Sequence, residues 1–153
     1  MDEFSQVTRS AEWNRTIQKV ARGFRARNVG EGGVVLHRVF RNATAVQTHP
    51  LDREIPCTLF ASKLSIPTGK KTTLTMRVSH HAHGDWQLRV VADEKVVVEQ
   101  IVGSKTVADD EWLDVTVDLS EFSGRSISVS IENRANNWRN EWAYWNKVSI
   151  TSE

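Results

Sequence analysis

From Val34 onward apolar residues alternate with polar ones at a period of two, the rhythm of strands with one face buried. Residues 34–40 read as a first strand. Residues 41–56 read as a long polar connection closing at Pro56. Residues 58–66 form the next strand, stopped by Pro67 and Gly69. Leu74, Met76 and Val78 then alternate with Thr73, Thr75 and Arg77. Trp86, Leu88 and Val90 run into a tight reversal at residues 92–95, and residues 96–102 return, so 86–102 is a hairpin. Leu113, Val115, Val117 and Leu119 alternate with Asp114, Thr116 and Asp118, and Ile127, Val129 and Ile131 alternate with serines. Val148 and Ile150 close the set. About eight short strands with turn signals between them predict an all-β antiparallel sandwich or barrel. No helical pattern separates them, which argues against a parallel α/β sheet. Leu74, Met76, Val78, Leu88, Val90, Leu113, Val115, Val117, Ile127, Val129 and Ile131 are the expected inward face.

Before Val34 the period differs. Trp13, Ile17, Val20, Ala21 and Phe24 recur at helical spacing, so a short helix is expected within residues 10–24, although Gly23 interrupts it. Residues 1–12 are polar and expected to fray. The cations Arg15, Lys19 and Arg22 read as a solvated helix surface rather than an anion-binding face. Gly30, Gly32 and Gly33 mark a flexible loop, not a phosphate loop, since no strand precedes them and no helix follows. The expected organisation is an N-terminal extension at 1–32 and a sandwich domain at 33–153.

Composition narrows the function. The 153 residues suit one domain with one core, and 39% hydrophobic and 25% charged residues are ordinary for a globular chain. A net charge of +1 and a pI of 8.0 give no reason to expect nucleic acid or an anionic membrane as partner. No apolar run approaches a transmembrane length, and the first residues show neither a basic nor an apolar region of a signal peptide. Localisation therefore stays open: extracytoplasmic if the chain is a domain of a larger secreted protein, cytoplasmic otherwise. The single Cys57 excludes an internal disulfide and a multi-cysteine zinc site, and reads as a small core residue. Asn14-Arg15-Thr16 and Asn42-Ala43-Thr44 fit the glycosylation acceptor pattern.

The run Trp112-Leu-Asp-Val-Thr-Val-Asp-Leu-Ser-Glu-Phe-Ser-Gly-Arg-Ser-Ile-Ser-Val-Ser-Ile-Glu132 resembles a signature of galactose-binding-like jelly-roll modules. There a strand ends in Asp-Leu-Ser, a small turn carries an aromatic and a glycine, and a new strand follows. The hairpin from Trp86 to Val102 resembles their central hairpin. The stretch from Trp138 to Ile150 resembles the closing strand of similar modules attached to large extracytoplasmic proteins, notably in planctomycetes. The resemblance covers roughly residues 33–150 and implies a jelly roll. Family members include carbohydrate-binding modules and domains with no known ligand. The acidic calcium loop common in the family is not visible near the N-terminus, so the expected cofactor is none, with no motif to support a structural calcium.

Strand parity locates a candidate site. Connections in an antiparallel sandwich alternate between its two poles. Those at 67–71, 93–94 and 120–124 fall at one pole and are short. Those at 41–56, 80–85, 103–111 and 133–141 fall at the other and are longer and more polar, as ligand-binding loops are. That pole gathers His49, Asp52, Arg53, His80, His81, His83, Asp85, Asp109, Asp110 and the run Asn136-Asn137-Trp138-Arg139-Asn140-Glu141. Sugars need an aromatic platform beside hydrogen-bonding groups, and this run supplies both. Trp138 is the expected platform, with Asn136, Asn137, Arg139 and Glu141 as rim and His81, His83 and Trp86 as opposing wall. The alternative for Trp138 is packing on the end of the sandwich. Trp142 and Tyr144 share parity with Val148 and are expected in the core, absent a bulge. Trp145 is expected on an exposed face. His81 and His83, two apart, have a spacing that suits a metal on a strand, but no third ligand is evident, and no metal site is expected. The implied function is a non-catalytic carbohydrate-binding module for a polysaccharide or oligosaccharide, monomeric and part of a multidomain protein. A ligand-free interaction or spacer domain is the runner-up. A small glycan-active hydrolase or lyase is third, since no motif places Asp85, Asp109, Asp110 or Glu141 as a catalytic pair.

Overall fold

A computed structural model describes the backbone of residues 3–153 and the side chains from Arg9 onward. It is a sandwich of two antiparallel five-stranded sheets. One sheet orders β1 (Arg25–Arg27), β4 (Cys57–Ser65), β9 (Ser126–Arg134), β6 (Trp86–Ala92) and β7 (Lys95–Val102). The other orders β2 (Val35–Phe40), β3 (Ala43–Thr48), β10 (Ala143–Ser152), β5 (Thr72–His80) and β8 (Leu113–Asp118). A 3-10 turn, Ser120–Phe122, links β8 to β9 and buries Phe122. The core between the sheets takes Leu59, Leu74, Met76, Val78, Trp86, Leu88, Val90, Val129, Ile131, Trp145 and Val148.

Ten strands replace the eight expected. Residues 41–56 are not one connection, because β3 lies within them. The β2–β3 hairpin turns through Arg41 and Asn42, both at positive φ (49° and 66°), with no glycine to announce the turn. The polar pole survives this correction. β3 runs back to that pole, so His49 and residues 51–55 lie beside the loops that follow β5, β7 and β9.

β8 is an edge strand, and Leu113 and Val115 on it are half-buried rather than buried. A bulge in β10 between Trp145 and Lys147 reverses the facing of the tryptophan segment. Trp145 therefore points into the core with Val148 and is fully buried, not on an exposed face. Tyr144 turns to the outer face of its sheet. It stacks on Phe40 there at 3.9 Å, beside Trp112, in a second small cluster. Trp142 is half-buried and packs against the same cluster.

Helix α1 spans Glu3–Gln18. It begins well before the expected 10–24, so residues 3–12 are helical rather than frayed; residues 1–2 lie outside the described residues. It ends at Gln18, and Val20, Ala21 and Phe24 reach the core from the turns that follow. Ile17, Val20, Ala21 and Phe24 join the same core as the strands, so the segment before residue 33 packs as part of the sandwich. α1 touches β1 and β2, which are edge strands of opposite sheets, and the Val148 amide donates to the Val20 carbonyl at 2.8 Å. The segment thus closes one open side of the sandwich. Among the described residues no helix is long and apolar enough to cross a membrane.

Candidate functional site

The polar pole is built around Glu141. Its side chain is 0% exposed, and Oε1 accepts three successive backbone amides, from Asn136 (2.5 Å), Asn137 (2.7 Å) and Trp138 (2.9 Å). One carboxylate oxygen thereby fixes the loop that carries the expected rim. The loop needs this anchor because Trp138 and Asn140 both take positive φ (59° and 50°), unfavourable for non-glycine residues. Beneath it Asn133 is fully buried; its Nδ2 donates to the Glu141 carbonyl and its Oδ1 accepts from Thr48 Oγ1, which also accepts from Trp145 Nε1. β9, β3 and β10 are tied together by this chain of bonds. Burial raises the Glu141 carboxyl above its ordinary pKa, the three amides pull it back, and the Asp85 charge adds to the rise.

Glu141 therefore cannot belong to a glycan-contacting rim: no part of it meets solvent. Trp86 is likewise not a wall of the site. It is 0% exposed, donates from Nε1 to the Ser79 carbonyl at 2.9 Å, and packs against Trp145 at 5.2 Å to fill the polar end of the core. Both residues support the pole from below.

A shallow cleft of about 250 Å³ runs between the loop after β5 and the loop after β9, lined by His80, His83, Gly84, Asp85, Ser104, Asn137 and Arg139. The two loops meet at Gly84, where a Cβ would lie 2.2 Å from the Asn140 carbonyl oxygen, so no larger residue fits. Asn136 Nδ2 donates to Asp85 Oδ1 at 2.9 Å, and Asn140 Nδ2 to the His83 carbonyl at 3.4 Å. His80 Nδ1 faces the carbonyls of His81 (2.7 Å) and Gly84 (2.9 Å), so it carries the proton and is the donor to both. The His83 amide donates to His81 Nδ1 at 3.0 Å, which leaves the His81 proton on Nε2. Burial holds His81 below its ordinary pKa, and His83 beside it, with ring centroids 5.7 Å apart, lowers it further. Among the described residues no three of His, Cys, Asp and Glu come together as a metal site.

The structure brings His83, Asn137 and Arg139 into one cleft, with Asn136 at its rim and His81 on the adjoining turn. Trp138 does not line it. It lies on the other side of its loop, half-buried, edge-on to His49 at 5.3 Å and with the Arg53 guanidinium 5.8 Å from its ring centroid. Asp85 and Ser104 are cleft residues that the site prediction omitted. Asp85 was legible as a member of the polar pole, whereas Ser104 had only its position after Gly103 to recommend it.

No family model matches this sequence, and no curated protein matches it. Solved structures do match. The K1 cleaved adhesin domain of Lys-gingipain from Porphyromonas gingivalis aligns with a TM-score of 0.59 and 12% identity over 88% of this chain and 93% of its own. The fold is a jelly-roll sandwich. The K3 adhesin domain of the same protein aligns at 0.56 and 16% identity, covering 86% of this chain and 93% of its own. The CBM22-1 xylan-binding domain of Xyn10C from Paenibacillus barcinonensis aligns at 0.54 and 13% identity, over 87% of each chain. This jelly roll is thus the scaffold of carbohydrate-binding modules and adhesin domains.

Proposed function

We propose that the polar pole binds a glycan without catalysing its cleavage. The observation that carries this reading is the Glu141 anchor. A buried carboxylate holds the backbone of residues 136–138, so the side chains of Asn136, Asn137 and Arg139 meet a ligand without an ordering cost. Hydroxyls would bond to Asn137, Arg139, His83 and Asp85 in the cleft. Asn136 and His81 extend the polar rim, and a sugar ring reaching across the loop would lie on Trp138, displacing the exposed Arg53 from its face. A xylan-binding domain on the same scaffold supports a polysaccharide as the partner. Neither a cofactor nor a metal enters this reading. Nor does a catalytic pair that uses Glu141, which is sealed from any substrate. One half-buried platform and a shallow cleft predict weak binding, with Kd about micromolar to millimolar.

The competing reading is a spacer or interaction domain, favoured by the packing of Trp138 against His49. Trp138→Ala separates the two. As a platform, its loss abolishes binding on a glycan array and in titration calorimetry while the melting temperature barely moves. As a packing residue, its loss destabilises the fold by about 3 kcal/mol or more. That outcome, with an array that shows no binding, would refute the glycan reading.

A further inference from the structure

A second concavity, of about 510 Å³, lies between α1 and β1, remote in sequence from every loop of the polar pole. Ala11, Asn14, Arg15 and Gln18 form one wall, a single stripe of the helix at i, i+3, i+4 and i+7. Gly23 and Arg25 form the other. The walls are stitched together. Asn14 Oδ1 accepts the Ala26 amide at 2.8 Å, Gln18 Oε1 accepts the Gly23 amide at 2.9 Å, and Gln18 Nε2 donates to the Phe24 carbonyl at 2.5 Å. Gly23, at φ 89°, leaves open space where a side chain would stand. The amide groups on the walls are thus engaged in holding the groove, and the guanidiniums of Arg15 and Arg25 stand exposed on either side of it.

Charge is segregated here. Residues 9–27 hold six cations and one carboxylate, while residues 28–153 hold fourteen cations and sixteen carboxylates. Several cations of the second group are ion-paired, among them Arg41, Arg77, Arg89, Lys95, Arg125 and Arg134. Among the described residues, none of the six between Arg9 and Arg27 has a carboxylate within ion-pair distance. A near-neutral protein therefore carries one strongly basic stretch of sequence, two of whose arginines, Arg15 and Arg25, line the groove. Guanidinium is the side chain best suited to clamp a planar or tetrahedral oxyanion.

We propose that this groove binds the carboxylate or sulfate groups of an acidic polysaccharide, with Arg15 and Arg25 holding one oxyanion from opposite walls. Lys19, Arg22 and Arg27 extend the attraction along the chain. Nucleic acid fits less well, because none of the lining residues offers a ring on which a base could stack. The site is independent of the polar pole and of the glycan reading of that pole.

The test uses the whole chain against heparin as the sulfated probe, polygalacturonate as the carboxylated probe, dextran as the neutral control and single-stranded DNA as a polyanion of another class. Binding to heparin or polygalacturonate is expected, weakening about tenfold from low to physiological salt, and which of the two binds more tightly names the oxyanion. Arg15→Ala/Arg25→Ala should weaken it at least tenfold. Lys70→Ala/Lys71→Ala, which removes the same charge from another connection, should change it less than twofold. Arg15→Lys/Arg25→Lys keeps charge and fold and should recover less than half of the loss, since ammonium cannot form the fork. The proposal is overturned if neither acidic glycan binds, if dextran or DNA binds as tightly, or if the Lys70/Lys71 pair costs as much. Full recovery by lysine would overturn the clamp. Loss of polar-pole binding in Trp138→Ala with heparin or polygalacturonate binding intact would show that the two sites stand or fall separately.

Discussion

Replacing Glu141 with alanine removes one acceptor and releases three amides at once. A hydrogen bond to a charged group contributes about 1.5–3 kcal/mol net, so three would sum to well above the usual effect of one substitution. Two corrections reduce that figure. Asn136 and Asn137 are exposed, so water replaces the carboxylate at their amides, and alanine also relieves Oε2, which is buried with no partner. The expected cost is about 2–4 kcal/mol. For a chain of this size that lowers the melting temperature by about 5–15 °C. Urea denaturation gives the free energy, and amide hydrogen exchange gives the location: residues 136–138 should lose protection while β5 and β9 keep theirs. Glu141→Gln retains an acceptor of the same shape without charge and should fall between. The pH dependence has a definite sign. Burial raises the folded carboxyl above 4.5, so the folded chain holds this proton more tightly than the unfolded chain. The proton-linked part of its contribution to stability is full below pH 4.5 and is lost as pH rises through the folded pKa, above which the three amide bonds to the ionised carboxylate remain. The stability difference between the native protein and Glu141→Gln should therefore shift against the native protein across that window. A Glu141→Ala variant within about 0.5 kcal/mol of the native protein, with all three amides still protected, would refute the anchor.

Met76→Ala, fully buried mid-strand, should cost about 2–5 kcal/mol by urea denaturation; Val115→Ala, half-buried on the edge strand β8, should cost under about 1 kcal/mol. Equal costs would contradict the assigned burial. Cys57 is buried and its thiol is pushed up to about 12 by burial, so a thiol reagent should label it only once denaturant unfolds the chain; rapid labelling of the native protein would contradict this.

The strands legible in the sequence were those with one buried and one wet face. β6 and β9 show the rule: Trp86, Leu88 and Val90, and Ile127, Val129 and Ile131, all lie inside. β3 was hidden because Ala45, on the outer face of its sheet, is buried beside Tyr144 and Trp112, so both faces of the strand are covered and no alternation shows. Trp145 was misread for a different reason. Parity carries across a strand only while its register holds, and one bulge at Asn146 exchanges the faces. At the site, the pole was legible from loop length and polarity. Within it, burial decides roles that residue type cannot: Glu141 and Asn137 look equally suited to a sugar, but one lies beneath the backbone and the other above it. The helix after residue 3 carried its core contacts in its spacing, yet Val20, Ala21 and Phe24 reach the core from turns, which helical periodicity does not describe.

The closure of the sandwich by the segment after α1 sets an order in time. The Val20 carbonyl meets the Val148 amide, and Ile17 and Phe24 share a core with Trp145. The partners of the segment after α1 thus sit on β10, which follows the other nine strands in chain order. On the ribosome, residues 17–24 are complete long before the strand that receives them. Until β10 emerges, the Val20 carbonyl lacks the Val148 amide and Ile17 and Phe24 lack the core that Trp145 completes, and such half-formed surfaces invite pairing with other chains. Such long-range contacts also slow folding. The interval between synthesis of the first core residues and arrival of the last strand is therefore the period in which this chain is most exposed to misassembly.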